Sequence, residues 1–347
     1  SLGLSHTASS LLSLGRFEEA WATAHETLAL ARRIGDRAHE VEMLTYVVPF
    51  VEWYRGNLDS AIKSATEGLT IARRIGSITG MADGEWVIAR ILTNRGEYEE
   101  ALAAGRRSLD AALPLEGFVP FYLVHPLSTL GTIYVSISKA FTDKIGEVHR
   151  YALRLLELPG GAIGGGTAWA ELGWCAWTLG DRAVAEEMFT KGLNYPSMMM
   201  LIEKPRHLAG LAMLMLERGN HNEARRLAQE ALDFANAHAM KNFEPLVRWV
   251  LGRVLAAEGD HDRALQHFEL AARAARSMTM RPILLEVEAS RARSLHALGR
   301  EDDAGVAKAE ALRQIDAIAG LLSDGDLRPA FREAALNRLT PDGLITA

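Results

Sequence analysis

The 347-residue sequence predicts an all-α fold, a solenoid of about eight helical hairpins ended by a C-terminal capping helix. Three observations predict it. A glycine-centred turn recurs at Gly15, Gly56, Gly96, Gly180, Gly219, Gly259 and Gly299, evenly spaced except that the step from Gly96 to Gly180 is double. Small side chains recur at fixed offsets from it. Twelve residues on stand Thr27, Gly68, Ser108, Gly192, Ala231, Ala271 and Ala311. Seven residues before it stand Ala8, Ala89, Gly173, Ala212, Gly252 and Ala292, with Pro49 as the exception. Finally, helix start and stop signals flank each turn. Acidic residues such as Glu18, Glu19, Asp59, Glu99 and Glu100 open the second helix, where the positive end of its dipole lies. The turn glycine suits the left-handed backbone that ends the first helix.

Taken in order, unit one turns at Gly15 and lacks the start of its first helix; Arg32, Arg33 and Gly35 close its second. Unit two turns at Gly56 and closes with Arg73, Arg74 and Gly76, and unit three turns at Gly96. The double step hides a fourth unit. Gly131 puts its turn at Ser138, whereas Ala152-Leu153 puts it at Ala140, so two extra residues are expected between Ser138 and Lys144. Irregular connections, residues 111–126 and 158–167, flank it. Units five to eight turn at Gly180, Gly219, Gly259 and Gly299. Pro205 and Pro245 stand equally far ahead of Gly219 and Gly259, and are expected in the first turn of their helices, where proline is tolerated. A cap is expected at about 323–340. Residues 1–347 thus read as a single solenoid. The start at Ser1-Leu2-Gly3, without Met or a basic-then-apolar leader, reads as a segment of a larger protein.

Composition excludes several classes. The chain is 48% hydrophobic and 24% charged, ordinary for a folded protein. A net charge of −6 offers no bulk attraction to nucleic acid. No apolar run is long enough to span a membrane. One cysteine, Cys175, excludes an internal disulfide and a CxxC zinc site, and a cytoplasmic location is expected. No phosphate loop, HExxH, GxSxG or EF-hand motif occurs. Ser60-Ala61-Ile62-Lys63 and Ser136-Ile137-Ser138-Lys139 match SxxK only by falling at or beside repeat turns. Asp260-His261-Asp262 and Asn220-His221-Asn222 occupy the same turn and read as helix caps. Catalytic residues, metal and cofactor are therefore expected to be none. Met198, Met199 and Met200 read as filler between units five and six.

Glycine, a residue, an aromatic, two residues, alanine, and then a small residue seven further on resembles the tetratricopeptide repeat. Trp169, eleven residues before Gly180, resembles that repeat's early tryptophan. The resemblance recurs seven times and covers nearly the whole chain. It implies a right-handed superhelix whose first helices line the concave side. The period here, ~40, is longer than the family's ~34. The longer period resembles the repeat regions that follow the ATPase in bacterial LuxR-type regulators and ATPase-linked cyclases. That implies a non-catalytic module in signalling or transcription control, binding a protein, a peptide or a small effector.

One stripe of the first helices is distinctive. Residues 13, 10, 6, 3 and 2 before the turn glycine share one side of an ideal helix. They include Tyr46, Phe50, Trp53, Trp86, Arg90, Trp174, Trp177, Arg206, Met213, Trp249, Arg253 and Arg293, together with Asp83 and His125. Five of the seven tryptophans fall there. An aromatic and arginine lining suits a ligand groove, with Arg90, Arg206, Arg253 and Arg293 meeting an acidic group. The same rings could equally pack unit against unit. A self-sufficient peptide receptor and a pure scaffold remain the rival functions.

Overall fold

The computed structural model describes residues 2–195 and 200–339. Met198 and Met199 therefore lie outside the described residues, as does the last residue of the expected cap. Among the described residues the chain is helical throughout, without a strand. Eight hairpins follow one another. They are α1 (Leu2–Ser13) with α2 (Phe17–Ile34); α3 (Arg37–Glu42), running through a π turn (Met43–Val47) into α4 (Val48–Tyr54), with α5 (Leu58–Ile75); and α6 (Ile78–Arg95) with α7 (Tyr98–Ala112). Next come α8 (Phe121–Ile137) with α9 (Thr142–Leu156), α10 (Gly165–Leu179) with α11 (Arg182–Asn194), and α12 (Met200–Glu217) with α13 (His221–Ala237). The last are α14 (Glu244–Ala257) with α15 (His261–Ser277) and α16 (Arg281–Ala297) with α17 (Glu301–Gly320), before α18 (Leu327–Asn337).

Local chemistry explains the boundaries. All seven turn glycines have positive φ, from 69° at Gly299 to 94° at Gly180, where a Cβ would be strained. Gly35 and Gly76 end α2 and α5 in the same conformation, donating to the carbonyls of Ala31 and Ala72. Asp181, Asn220 and Asp260 accept from the N–H three residues on, so the Asn220 and Asp260 turns are caps. In the fourth unit Ser138 is extended, caps a short 3-10 turn (Lys139–Phe141) and leads into α9; this is where the extra residues lie.

Two prolines alter the expected pattern. Pro49 stands where other units carry a small residue, and the π turn runs up to it. The N–H of Val48 reaches back five residues to Met43, a wider spacing that accommodates the donor missing at Pro49. Pro205 is not in the first turn of its helix. α12 is described from Met200, as far ahead of Gly219 as α3 starts ahead of Gly56, so Pro205 lies inside it, whereas α14 starts later relative to Gly259 and Pro245 sits in its first turn.

The small positions receive rings and branches from the partner helix. Phe189, nine residues after its turn glycine, covers Gly173, and Phe268, nine after its own, covers Gly252. The stack also meets itself. Gly15 faces His238, Gly56 faces Met278, and Gly96 faces Ile318. Each of these turns therefore meets the end of the second helix five units on. Arg281 donates to the carbonyl of Arg95 (2.9 Å), and the Ser323 N–H and hydroxyl both donate to Glu99 (2.6 Å each). α18 closes the last unit and also sets Phe331 against Tyr98 of α7, with ring centres 5.9 Å apart. No described helix is long and apolar enough to cross a membrane.

Candidate functional site

The aromatic stripe faces the neighbouring first helix more than it faces open space. Phe50, Trp53, Trp86, Trp177, Met213 and Trp249 are buried, and Tyr46, Trp174, Arg206, Arg253 and Arg293 are half-buried. Three indoles fasten successive units. The Trp86 N–H donates to Thr129 of α8 (3.1 Å), that of Trp174 to the Arg206 carbonyl of α12 (3.2 Å), and that of Trp249 to Ser290 of α16 (2.9 Å). As a continuous groove floor, Trp53, Trp86, Trp174, Trp177 and Trp249 are thus largely covered by the next layer. A ring at these positions gains more from the adjoining helix than from water.

The four stripe arginines divide into two pairs. Arg90, only 4% exposed, bonds Glu171 (3.1 Å) and Glu203 (2.9 Å), and its guanidinium lies 4.2 Å from the Trp53 ring centre. Arg206 pairs with Glu203 at 3.2 Å. Ser128 and Thr129 donate to Glu171, and Tyr54 and Thr167 to Glu203. This knot joins α4, α6, α8, α10 and α12. Burial alone would raise the Glu203 carboxyl, but Arg90 and Arg206 outweigh it and hold it below the usual carboxylate range. Sequence reasoning missed Glu171 and Glu203. Both lie off the stripe; Glu171 is signalled only as the lone charge in the apolar helix α10, and Glu203 stands among other charged residues of α12 with no signal of its own.

Arg253 and Arg293 differ. Among the described residues neither has a carboxylate within 4 Å. Arg253 lies 5.1 Å from the Trp249 ring centre, and Arg293 donates to Ser290 (3.1 Å). Burial lowers both, and burial together with Arg253 brings Arg293 down to about 10. They occupy the same register in successive units, six residues before Gly259 and Gly299.

A broad cleft opens among the first helices at the N-terminal end of the stack. It measures about 850 Å³ and is lined almost wholly by first helices of units one to four. Ser9 and Ser10 come from α1, Thr45 and Tyr46 from the π turn, Asp83 from α6 and His125 from α8. The π turn thus places two residues on the wall. His125 stacks on Trp86 with ring centres 4.0 Å apart. Burial, reinforced by Glu42, raises the Asp83 carboxyl well above its ordinary range. Tyr46 is raised by the same burial and by Asp83. Cys175 is fully buried beside Thr132 and pushed up to about 12 by burial, so it acts as a small apolar residue. Among the described residues no group of three or more His, Cys, Asp or Glu is placed to hold a metal ion.

Residues 205–230 and 245–269 match the Tetratricopeptide repeat family. No curated protein matches the sequence. Among solved structures the chain is similar to a Rap protein complexed with competence and sporulation factor. That alignment has a TM-score of 0.60 and 14% identity, and covers 92% of this chain and 99% of that one. A tetratricopeptide repeat protein from Parabacteroides merdae ATCC 43184 aligns with a TM-score of 0.40 and 15% identity, over 87% of this chain and 99% of that one. Tetratricopeptide repeats are thus identified by sequence in units six and seven, and the chain as a whole has the fold of a tetratricopeptide-type solenoid.

Proposed function

We propose that this chain is a non-catalytic binding module that receives a protein, peptide or small effector on its inner wall. The observation that carries the reading is the cleft of about 850 Å³ at Tyr46, Asp83 and His125. Its size is that of a ligand site, and it offers aromatic area with a few convergent polar groups. The Rap protein of the same fold, held in complex with competence and sporulation factor, supports the same kind of use. Arg253 and Arg293, with no carboxylate within 4 Å among the described residues, supply positive charge further along the first helices, suited to an acidic group of a longer ligand. Coupling to an ATPase, cyclase or DNA-binding partner domain, as in LuxR-type regulators, is the signalling role we infer, in the cytoplasm.

The test uses thermal shift with fractionated peptide and metabolite pools on wild type and on Ser10→Trp, which places an indole in the mouth of the cleft at an exposed position. A fraction that protects wild type but not Ser10→Trp supports the reading. Equal protection of both, or no protective fraction, overturns it.

A further inference from the structure

A second cavity, of about 160 Å³, lies where the early units meet the late ones. Trp53 and Arg90 line it from α4 and α6, Thr132 from α8, and Asn242 from the 3-10 turn (Lys241–Phe243) before α14. Trp53 and Asn242 are each 2% exposed. Yet the Trp53 indole N–H, one Arg90 terminal nitrogen and both the amide nitrogen and oxygen of Asn242 have no hydrogen-bond partner among the described residues. A buried polar group without a partner costs roughly 1–3 kcal/mol, so four such atoms around one cavity call for an occupant.

We propose that this cavity is a separate site for a small, uncharged amide. Arg90 and Arg206 are already balanced by Glu171 and Glu203, so an ionised ligand would upset a neutral set. A carboxylate only accepts, and would leave the Asn242 oxygen unsatisfied. An ammonium only donates, and would leave the indole and guanidinium N–H groups unsatisfied. An amide does both. Its carbonyl takes two of the three donors, and its N–H goes to the Asn242 oxygen. The volume limits the occupant to roughly the size of benzene. Such a ligand bridges α4 and α6 to the connection before α14, tying the two ends of the stack together.

The test measures thermal shift and calorimetric binding with acetamide, propionamide and isobutyramide, against sodium propionate as the isosteric acid. A saturable shift with at least one amide and none with propionate is expected. Trp53→Phe, which keeps the ring and removes the N–H, should bind roughly tenfold more weakly, and Asn242→Leu should not bind. Circular dichroism confirms that each variant folds, and Trp53→Phe carries the test if Asn242→Leu does not. No saturable amide binding, an equal response to propionate, or wild-type binding by the folded variants overturns the proposal. The cleft at Tyr46 and Asp83 is untouched by both substitutions, so this outcome is independent of the function proposed above.

Discussion

Arg90 and Arg253 occupy equivalent places in their units, six residues before the turn glycine, yet they should respond in opposite ways to substitution. Removing Arg90 strands Glu171 in a dry interior and leaves Glu203 to Arg206 alone. Arg90→Leu is therefore expected to cost about 3–5 kcal/mol in denaturant unfolding. Arg253 has no such partner, and its burial disfavours the charge, so Arg253→Leu should leave stability unchanged within ~0.5 kcal/mol or raise it. Equal losses in the two variants would contradict the division of the stripe. Asp83 makes a third test. Its folded-state pKa is raised, so the folded chain binds the proton more tightly than the unfolded chain. Stability is greatest when Asp83 is protonated, and is lost as pH rises from the ordinary carboxylate range through the raised value. Asp83→Asn should accordingly melt higher than wild type at neutral pH, with the gap closing in acid. A gap that is constant with pH would remove titration as its cause. None of this was visible in composition, because the same residue type at the same register is paired in one unit and unpaired in another.

The hairpin was legible because its determinants are local. A left-handed glycine, a capping side chain and a small residue at fixed spacing act within one unit; the seven turn glycines all have positive φ, and side chains cap the second helices of units five to seven. The direction of the stripe was harder. Helical periodicity places Trp86 and Trp249 on one side of their helices, but only the distance to the next helix decides whether that side is bare or covered. Pro49 marked an exception in the sequence, while the π turn it accompanies, and the cleft residues Thr45 and Tyr46 on that turn, follow from the broken hydrogen-bond pattern. The small positions allow a direct comparison. At Gly252 an added methyl carbon would lie 2.5 Å from the Phe268 ring. Gly252→Ala should cost about 1 kcal/mol even after the gain in helix propensity. At Gly305 of α17 nothing lies within 4 Å, and Gly305→Ala should stabilise by up to ~1 kcal/mol. Denaturant midpoints of the two variants check the opposite signs.

Repeat stacks are ordinarily bound only to their neighbours, so that stability is a sum of local and nearest-unit contributions. This chain adds a contact of longer reach. The turns at Gly15, Gly56 and Gly96 meet structure five units on. The C-terminal segment also reaches the third, fourth and last units: Phe331 of α18 packs on Tyr98, and Arg338, just past α18, donates to the Ser136 carbonyl of α8 and pairs with Glu286 of α16. The hydrogen bonds among these contacts join residues as much as 225 positions apart in sequence, as between Glu99 and Asp324. No repeat unit encodes them alone, and they were not readable from periodicity. They have a mechanical consequence, because the cavity at Trp53 and Asn242 exists only while the two ends are together. A chain ending at Leu322 loses α18 and, with it, a fastening of the third unit. Hydrogen exchange in that truncated chain should rise in α17, as for any lost cap, and also in α7, five units earlier in the stack. Small-angle scattering should show a larger radius of gyration as the two ends separate. Faster exchange confined to α16 and α17, with an unchanged radius, would mean that nearest-neighbour stacking alone sets the curvature and that the ends merely touch.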